Sequence, residues 1–251
     1  MVVTLAYFGY LAAMAMARRR PKPLIGSLLM LSWVFFVGMG GVLPALYLLA
    51  GYWLPALLVV APNAPLERRL LIFDHSLFGP KGLDAFASKA PRLLIEYFEL
   101  AYLLCYAVVP VGFGWLVFAG FQDRAGMFWS TVLLASFSCY GLLPLLPTRA
   151  PRAVQPPLPR RPSVIRHLNH LVLDRASVQW NTFPSGHTAA SVATALAVGS
   201  LSPVAGMAFG VVALSIAIGS VVGRYHYLAD AIAGALFAVA AFVTASAAHA
   251  P

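Results

Sequence analysis

Seven long runs of this chain carry almost no charge, at about 3–17, 24–61, 93–120, 127–147, 186–201, 203–222 and 227–248. Segments of this kind must satisfy their own backbone polar groups away from water, which only helices and closed barrels achieve. The alternation of a barrel strand is absent, and the runs are rich in Ala, Leu and Gly. The predicted fold is therefore all-α, a polytopic transmembrane helix bundle. Composition agrees: 10% of residues are charged and 61% hydrophobic, against about 25% charged in soluble domains. Run 24–61 exceeds the roughly 20 residues of one straight span. Either Gly38-Met39-Gly40-Gly41 turns the chain and makes two spans, or one span ends near Ala50 and the rest, with Trp53 and Pro55, lies at the interface. The expected count is seven or eight.

Two polar stretches interrupt the runs. Residues 62–92 contain Leu70 to Gly79, short and apolar-rich, which suits an amphipathic helix in the interface plane. Residues 147–184 open on a Pro/Arg-rich stretch, Pro147 to Pro162, followed by helical periodicity from Val164 to Leu173 with His167 and His170 three apart. The organisation expected is one or two extra N-terminal spans in 1–41, then a membrane-embedded core in 42–251, with 62–92 interfacial and 147–184 over the site. Met1 to Ala17 has no basic region before it and is followed by Arg18-Arg19-Arg20-Pro21-Lys22, so it reads as a retained span. Cys105 and Cys139 lie in apolar runs and read as small buried hydrophobes.

By alternation, the end of 127–147, the start of 186–201, the end of 203–222 and the start of 227–248 share one membrane face. With seven spans the basic cluster at 18–22 lies opposite, and the positive-inside rule puts that face outside the cytoplasm; with eight spans the cluster shares it. The expectation is a site on the non-cytoplasmic face. The net charge of +9, much of it in the loop before Phe183, points toward anionic substrates or an anionic lipid surface. Lipid partners are expected, with no nucleic acid, cofactor or metal.

The residues that carry chemistry meet on that face. Phe183-Pro184-Ser185-Gly186-His187 opens a helix: Pro suits the first turn, Ser185 can cap, Gly186 allows close approach to the backbone, and free N–H groups attract an anion. His187 is then placed to give a proton to a leaving oxygen. In Arg224-Tyr225-His226-Tyr227-Leu228-Ala229-Asp230, His226 and Asp230 are four apart, so on a helix they share a face. A carboxylate on one ring nitrogen leaves the other free to attack. Arg224 can grip phosphate oxygens. Glu96, Glu99, Tyr102 and Asn181 are candidate substrate-pocket positions. The plainer reading of each stretch is a helix cap with an interfacial histidine, and an arginine anchor in an aromatic belt.

The two clusters resemble the second and third signature motifs of the type 2 phosphatidic acid phosphatase superfamily. The spacing Tyr225-His226-Tyr227 with Asp230, and Asp74 with Leu77-Phe78-Gly79 upstream, resemble its inositol phosphorylceramide synthase-like branch. The resemblance implies a six-helix core with His226 as a nucleophile forming a phosphohistidine, Asp230 orienting it, and His187 as acid and then base. Ser185, Gly186 and Arg224 would bind the phosphoryl oxygens. The first motif is incomplete, with Val154 where the superfamily has Lys and Arg161-Pro162 at its end. The branch's Pro/Arg-rich turn resembles Pro147-Thr148-Arg149-Ala150-Pro151-Arg152, which implies Arg149 and Arg152 as phosphate contacts. Arg224 and His226 stand closer together than most members place them, and the branch often has Leu at the position of Gly186, so phosphatase and headgroup transferase both remain open.

The activity expected is metal-independent transfer of a phosphoryl group from a lipid phosphate to water or to an alcohol. Two readings from other classes compete. A serine hydrolase using Ser185 lacks a Gly-x-Ser-x-Gly elbow, and a non-enzymatic carrier of an anionic lipid would use the same arginines without turnover.

Overall fold

The computed structural model describes residues 1–80, 82–155 and 163–249. Among them the regular structure is helical: α1 (Val2–Ala17), α2 (Pro21–Phe36), α3 (Leu43–Trp53), α4 (Ala64–Phe78), α5 (Gly82–Lys89), α6 (Arg92–Leu103), α7 (Val108–Phe118), α8 (Ala125–Leu142), α9 (Pro151–Val154), α10 (Val164–Ala176), α11 (Gly186–Gly199), α12 (Pro203–Val222) and α13 (Leu228–Ala248). An isolated antiparallel bridge joins Thr148 to Asn181. The chain is an all-α polytopic membrane bundle.

Gln122–Leu142, Pro203–Val222 and Leu228–Ala248 are long and apolar enough to cross a membrane, and the bent pair Arg92–Tyr106 and Val108–Phe118 makes a fourth if it acts as one span. Val2–Ala17, Pro21–Phe36 and Leu43–Leu58 are apolar but shorter. Fewer helices pass on length than the seven or eight read from hydropathy, because the apolar runs break internally. Run 24–61 turns back at Gly38 and Gly41, whose φ values of 86° and 57° suit glycine. Run 93–120 bends by 65° just before Pro110, which has no N–H to give the preceding turn.

α8 and α11 form the centre. α8 buries Phe128, Val132, Phe137 and Cys139, and α11 packs on α8, α12 and α13 through Ala189, Ala193 and Ala197. Apolar burial gives little drive between helices in lipid, so close backbone approach carries the packing. Glycines supply it: a Cβ on Gly206 would overlap the Gly199 backbone, and one on Gly219 the carbonyl of Phe98. α1 joins α8 by stacking Tyr7 on Phe137, with ring centroids 4.1 Å apart.

The bundle has two distinct ends. Met1, Gly40, Gly126 and His249 meet at one. At the other, Arg18 Nη1 donates to the Leu58 carbonyl (2.5 Å) and Nη2 to that of Pro144 (3.0 Å). There too the Asn63 N–H donates to the Pro147 carbonyl at 2.7 Å, and the Ser185 N–H to that of Asp230 at 2.9 Å. The basic cluster at 18–22 therefore shares the end that carries the motifs.

Candidate active site

The start of α13 fixes the first half of the site. Asp230 occupies the third helical position and its Oδ2 accepts the Tyr227 N–H at 3.1 Å, capping the helix start. The helix begins at Leu228, so His226 and Asp230 do not share a helical face as the spacing suggested. His226 instead folds over the helix mouth, with Nδ1 3.3 Å from Asp230 Oδ2. With the proton on Nδ1, the ring donates to the carboxylate and Nε2 keeps its lone pair. Asn181 Nδ2 donates to the same Oδ2 at 2.7 Å and to Thr148 Oγ1 at 2.9 Å. Burial, and after it the charge of Arg152, push the His226 imidazole down to about 3, so it is neutral at physiological pH.

The start of α11 supplies the second half. Ser185 is the N-cap, its Oγ accepting the Thr188 N–H at 3.3 Å, and Thr182 Oγ1 accepts the Gly186 N–H at 3.1 Å. Pro184 thus precedes the helix rather than opening it, and the Phe183–Pro184 peptide is cis. A Cβ on Gly234 would overlap the Ser185 carbonyl, so glycine there lets α13 seat against the α11 cap. Locked together in this way, the helix starts bring the His187 and His226 rings to 5.8 Å between centroids, at 78°.

The rings share a hollow of about 20 Å³, about the room of one water, with Arg152, Trp180, Asn181 and Tyr102 among its walls. Tyr106, Tyr102 and Tyr52 surround His187 at 5.5, 5.9 and 6.1 Å between centroids. Tyr225 stacks on Tyr102 at 3.9 Å, and the Arg152 guanidinium lies 5.3 Å from the Tyr225 ring centre. Among the described residues no carboxylate pairs with Arg152. On the far side of His226, a second small hollow is lined by Asp74, His75, Asp84, Gln155 and Arg224.

The other expected contacts fall as follows. Arg224 adjoins His226 but its Nη1 lies 3.8 Å from Asp84 Oδ1. Arg149 forks onto Glu67 through Nε (3.0 Å) and Nη2 (2.8 Å) and is not part of either hollow. Glu67 is buried and needs a partner, which is why the arginine sits there. Gly186 makes room for the Tyr140 ring, which a Cβ would overlap. Two of the first three N–H groups of α11 are taken by Thr182 and Ser185, so the anion pocket is narrower than the sequence suggested. Asn181 holds Asp230. Glu99 is a buried hub that accepts from Arg166 Nε (2.7 Å), Asn169 Nδ2 (2.9 Å) and Tyr225 Oη (2.6 Å). Glu96 accepts from Ser163 at 2.8 Å. His170 faces Tyr225 at 6.4 Å. Arg161 and Pro162 lie outside the described residues.

Sequence reasoning missed Thr182, Trp180 and the reach of Asp74, whose Oδ1 accepts the Leu228 N–H at 3.1 Å. Nothing in a lone threonine or tryptophan near a helix start marks it. Asp74 was noted only for its family spacing.

Neither a curated protein nor a solved structure is matched. A family model described as PAP2 superfamily matches residues 68–244, well over half the chain and spanning both histidines, Asp230 and Arg152. The chain belongs to the PAP2 superfamily, whose members are phosphoric-ester hydrolases or transferases.

Proposed function

We propose that this protein is an integral membrane lipid-phosphate phosphatase or phosphotransferase working through a phosphohistidine on His226. The observation that carries the reading is the 5.8 Å approach of the His187 and His226 rings, with Asp230 behind one of them and Arg152 beside both. Nε2 of His226 attacks phosphorus, and the bond to the lipid oxygen breaks. His187 gives its proton to that oxygen; the anionic phosphate seated between the rings favours the protonated form of His187. Water or an alcohol then gives a proton back to His187 and attacks the phosphohistidine. Arg152 supports the equatorial oxygens. Its cation–π contact, worth about 0.5–2 kcal/mol, lets it swing to admit the phosphate where an ion pair would hold it.

An alcohol acceptor is the alternative to water, as the resemblance to the synthase-like branch implies, and it would have to reach the hollow that His187 and His226 share. A screen of purified protein against lipid phosphates, with and without alcohol acceptors, reads both phosphate release and new lipid. Turnover that survives in His226→Ala, or a strict requirement for divalent cations, refutes the mechanism. Binding without any product in the unaltered protein selects the carrier instead.

Charge favours a cytoplasmic site. Arg18, Arg149, Arg152, Arg166 and Arg224 belong to the motif end, while Arg124 adjoins the start of α8 at the other, and short basic segments stay inside. A cysteine at Arg20 should react with an impermeant maleimide in inverted vesicles and not in right-side-out ones; the reverse pattern puts the site outside.

A further inference from the structure

Glu99 is an acid within the apolar run 93–120 and is buried. An ionisable group placed there is costly and points to a function. Arg166 and Asn169, both on α10, donate to it: Arg166 to Oε1 at 2.7 and 2.5 Å, and Asn169 to Oε2 at 2.9 Å. Those bonds tie α10 to α6 and suffice to satisfy the carboxylate. A further donor comes from a different element. Tyr225, in the turn between α12 and α13, donates its Oη to Oε2 at 2.6 Å. The turn is shaped for that reach. Gly223 leaves room for the Tyr225 ring, which a Cβ would overlap, and the N–H groups of Tyr225 and His226 both donate to the Ser220 carbonyl, at 2.8 and 3.0 Å. Tyr225 packs with Tyr102 and Leu173 in a buried cluster separate from the main core.

Two parts of the site rest on the Tyr225 ring. Tyr102 stacks on it at 3.9 Å and meets His187 edge-on at 5.9 Å between centroids. The Arg152 guanidinium lies over it at 5.3 Å, and the Arg152 backbone N–H donates to the carbonyl of the preceding residue, Arg224, at 3.0 Å. Stacking alone lets a ring slide, whereas a short hydrogen bond to a carboxylate fixes its far end. Donation to a carboxylate also enriches the ring's electron density, which strengthens its hold on a guanidinium. Resting on the phosphoryl-transfer reading above, we infer that Glu99 is a positioning residue for that reaction: by holding Tyr225 it fixes the Arg152 guanidinium at the hollow shared by His187 and His226. Glu99 does not line that hollow, so it acts through Tyr225 and not on the substrate.

Tyr225→Phe removes the Oη alone and leaves Glu99 with Arg166 and Asn169, so the tie between α6 and α10 stays. Two quantities are read on the folded fraction in detergent: rates on dioctanoyl phosphatidate, and calorimetric affinity for orthovanadate, which mimics five-coordinate phosphorus. Misplacement of a group by about 1 Å costs about 100-fold; a ring loosened by less should lower kcat about tenfold, keep KM within about twofold, and weaken orthovanadate about tenfold. In an Arg152→Ala background the same replacement should change each quantity by less than about twofold, because the group being placed is gone. Glu99→Gln should reproduce the loss without adding to it in the double variant. Unchanged kcat and vanadate affinity in Tyr225→Phe, whatever happens to its melting, show a purely structural bond and overturn the inference. A loss that persists in the Arg152→Ala background, or losses that multiply in the double variant, also overturn it. An unaltered protein that binds orthovanadate and turns over no lipid phosphate defeats the phosphatase reading, and the vanadate affinities then judge the inference. One that does neither overturns both.

Discussion

Asn181 distinguishes a residue that touches substrate from one that positions the nucleophile's partner. Its amide donates to Asp230 Oδ2 at 2.7 Å and to Thr148 Oγ1 at 2.9 Å, and the residue is buried. Asn181→Ala removes one bond to a carboxylate, worth about 1.5–3 kcal/mol, and one neutral bond worth about 1 kcal/mol. Thermal melts in detergent should therefore show a loss of about 2–4 kcal/mol. Asp230 keeps the Tyr227 N–H and the His226 ring, so catalysis weakens without vanishing. Loss of an orienting partner of this kind costs about 10–100-fold, and it should fall on kcat with KM within about twofold. Initial rates on a lipid phosphate, measured on the folded fraction, read both constants. A raised KM at unchanged kcat would return Asn181 to the substrate pocket where its sequence position suggested it; no change in either constant would show that the hydrogen bond does not orient Asp230 for catalysis.

The remaining predictions address packing, charge and pH. Gly186→Ala should cost about 1–3 kcal/mol through overlap with the Tyr140 ring, and adding Tyr140→Leu should recover part of it in a double-mutant cycle; a stable single variant with lost activity would favour phosphate approach instead. Arg149→Ala should lower the melting temperature by stranding the buried Glu67 yet keep specific activity, whereas Arg152→Ala should lower kcat/KM at least tenfold with little change in melting; the opposite pairing would exchange their roles. Burial raises the Asp74 carboxyl from 3.8 to about 7, so the folded state favours its protonated form. That contribution is present at acid pH and is lost as pH rises from about 4 to 7. Melts across this range should fall more steeply for the unaltered protein than for Asp74→Asn, and parallel slopes would contradict the assignment.

The helical fold and the meeting of the two histidines were legible in the sequence because both rest on short-range rules. Charge-free runs make helices, and alternation of direction brings the ends at Ser185 and His226 to one side. Turn chemistry at Gly38 and Gly41 breaks run 24–61 into two apolar helices. The partners of the arginines were not legible. Arg149 and Arg152 are three apart in one Pro-rich turn, yet one is bound by Glu67, 82 residues upstream, and the other lies over Tyr225. Such pairings depend on which buried carboxylate each side chain meets. Nor was the neighbour of Gly186 legible: a glycine in a motif suggests ligand approach, and the group that comes close in the fold is the Tyr140 ring from α8.

The central claim is that His226 carries the phosphoryl group between donor and acceptor. Rapid acid-free quenching of the protein with a phosphorus-labelled lipid phosphate, followed by peptide mass spectrometry, tests it directly. The account predicts an acid-labile, base-stable phosphoryl group on His226, absent in His226→Ala and longer-lived in His187→Ala. Label on Ser185, or full turnover with no phosphoenzyme at any quench time, would contradict it.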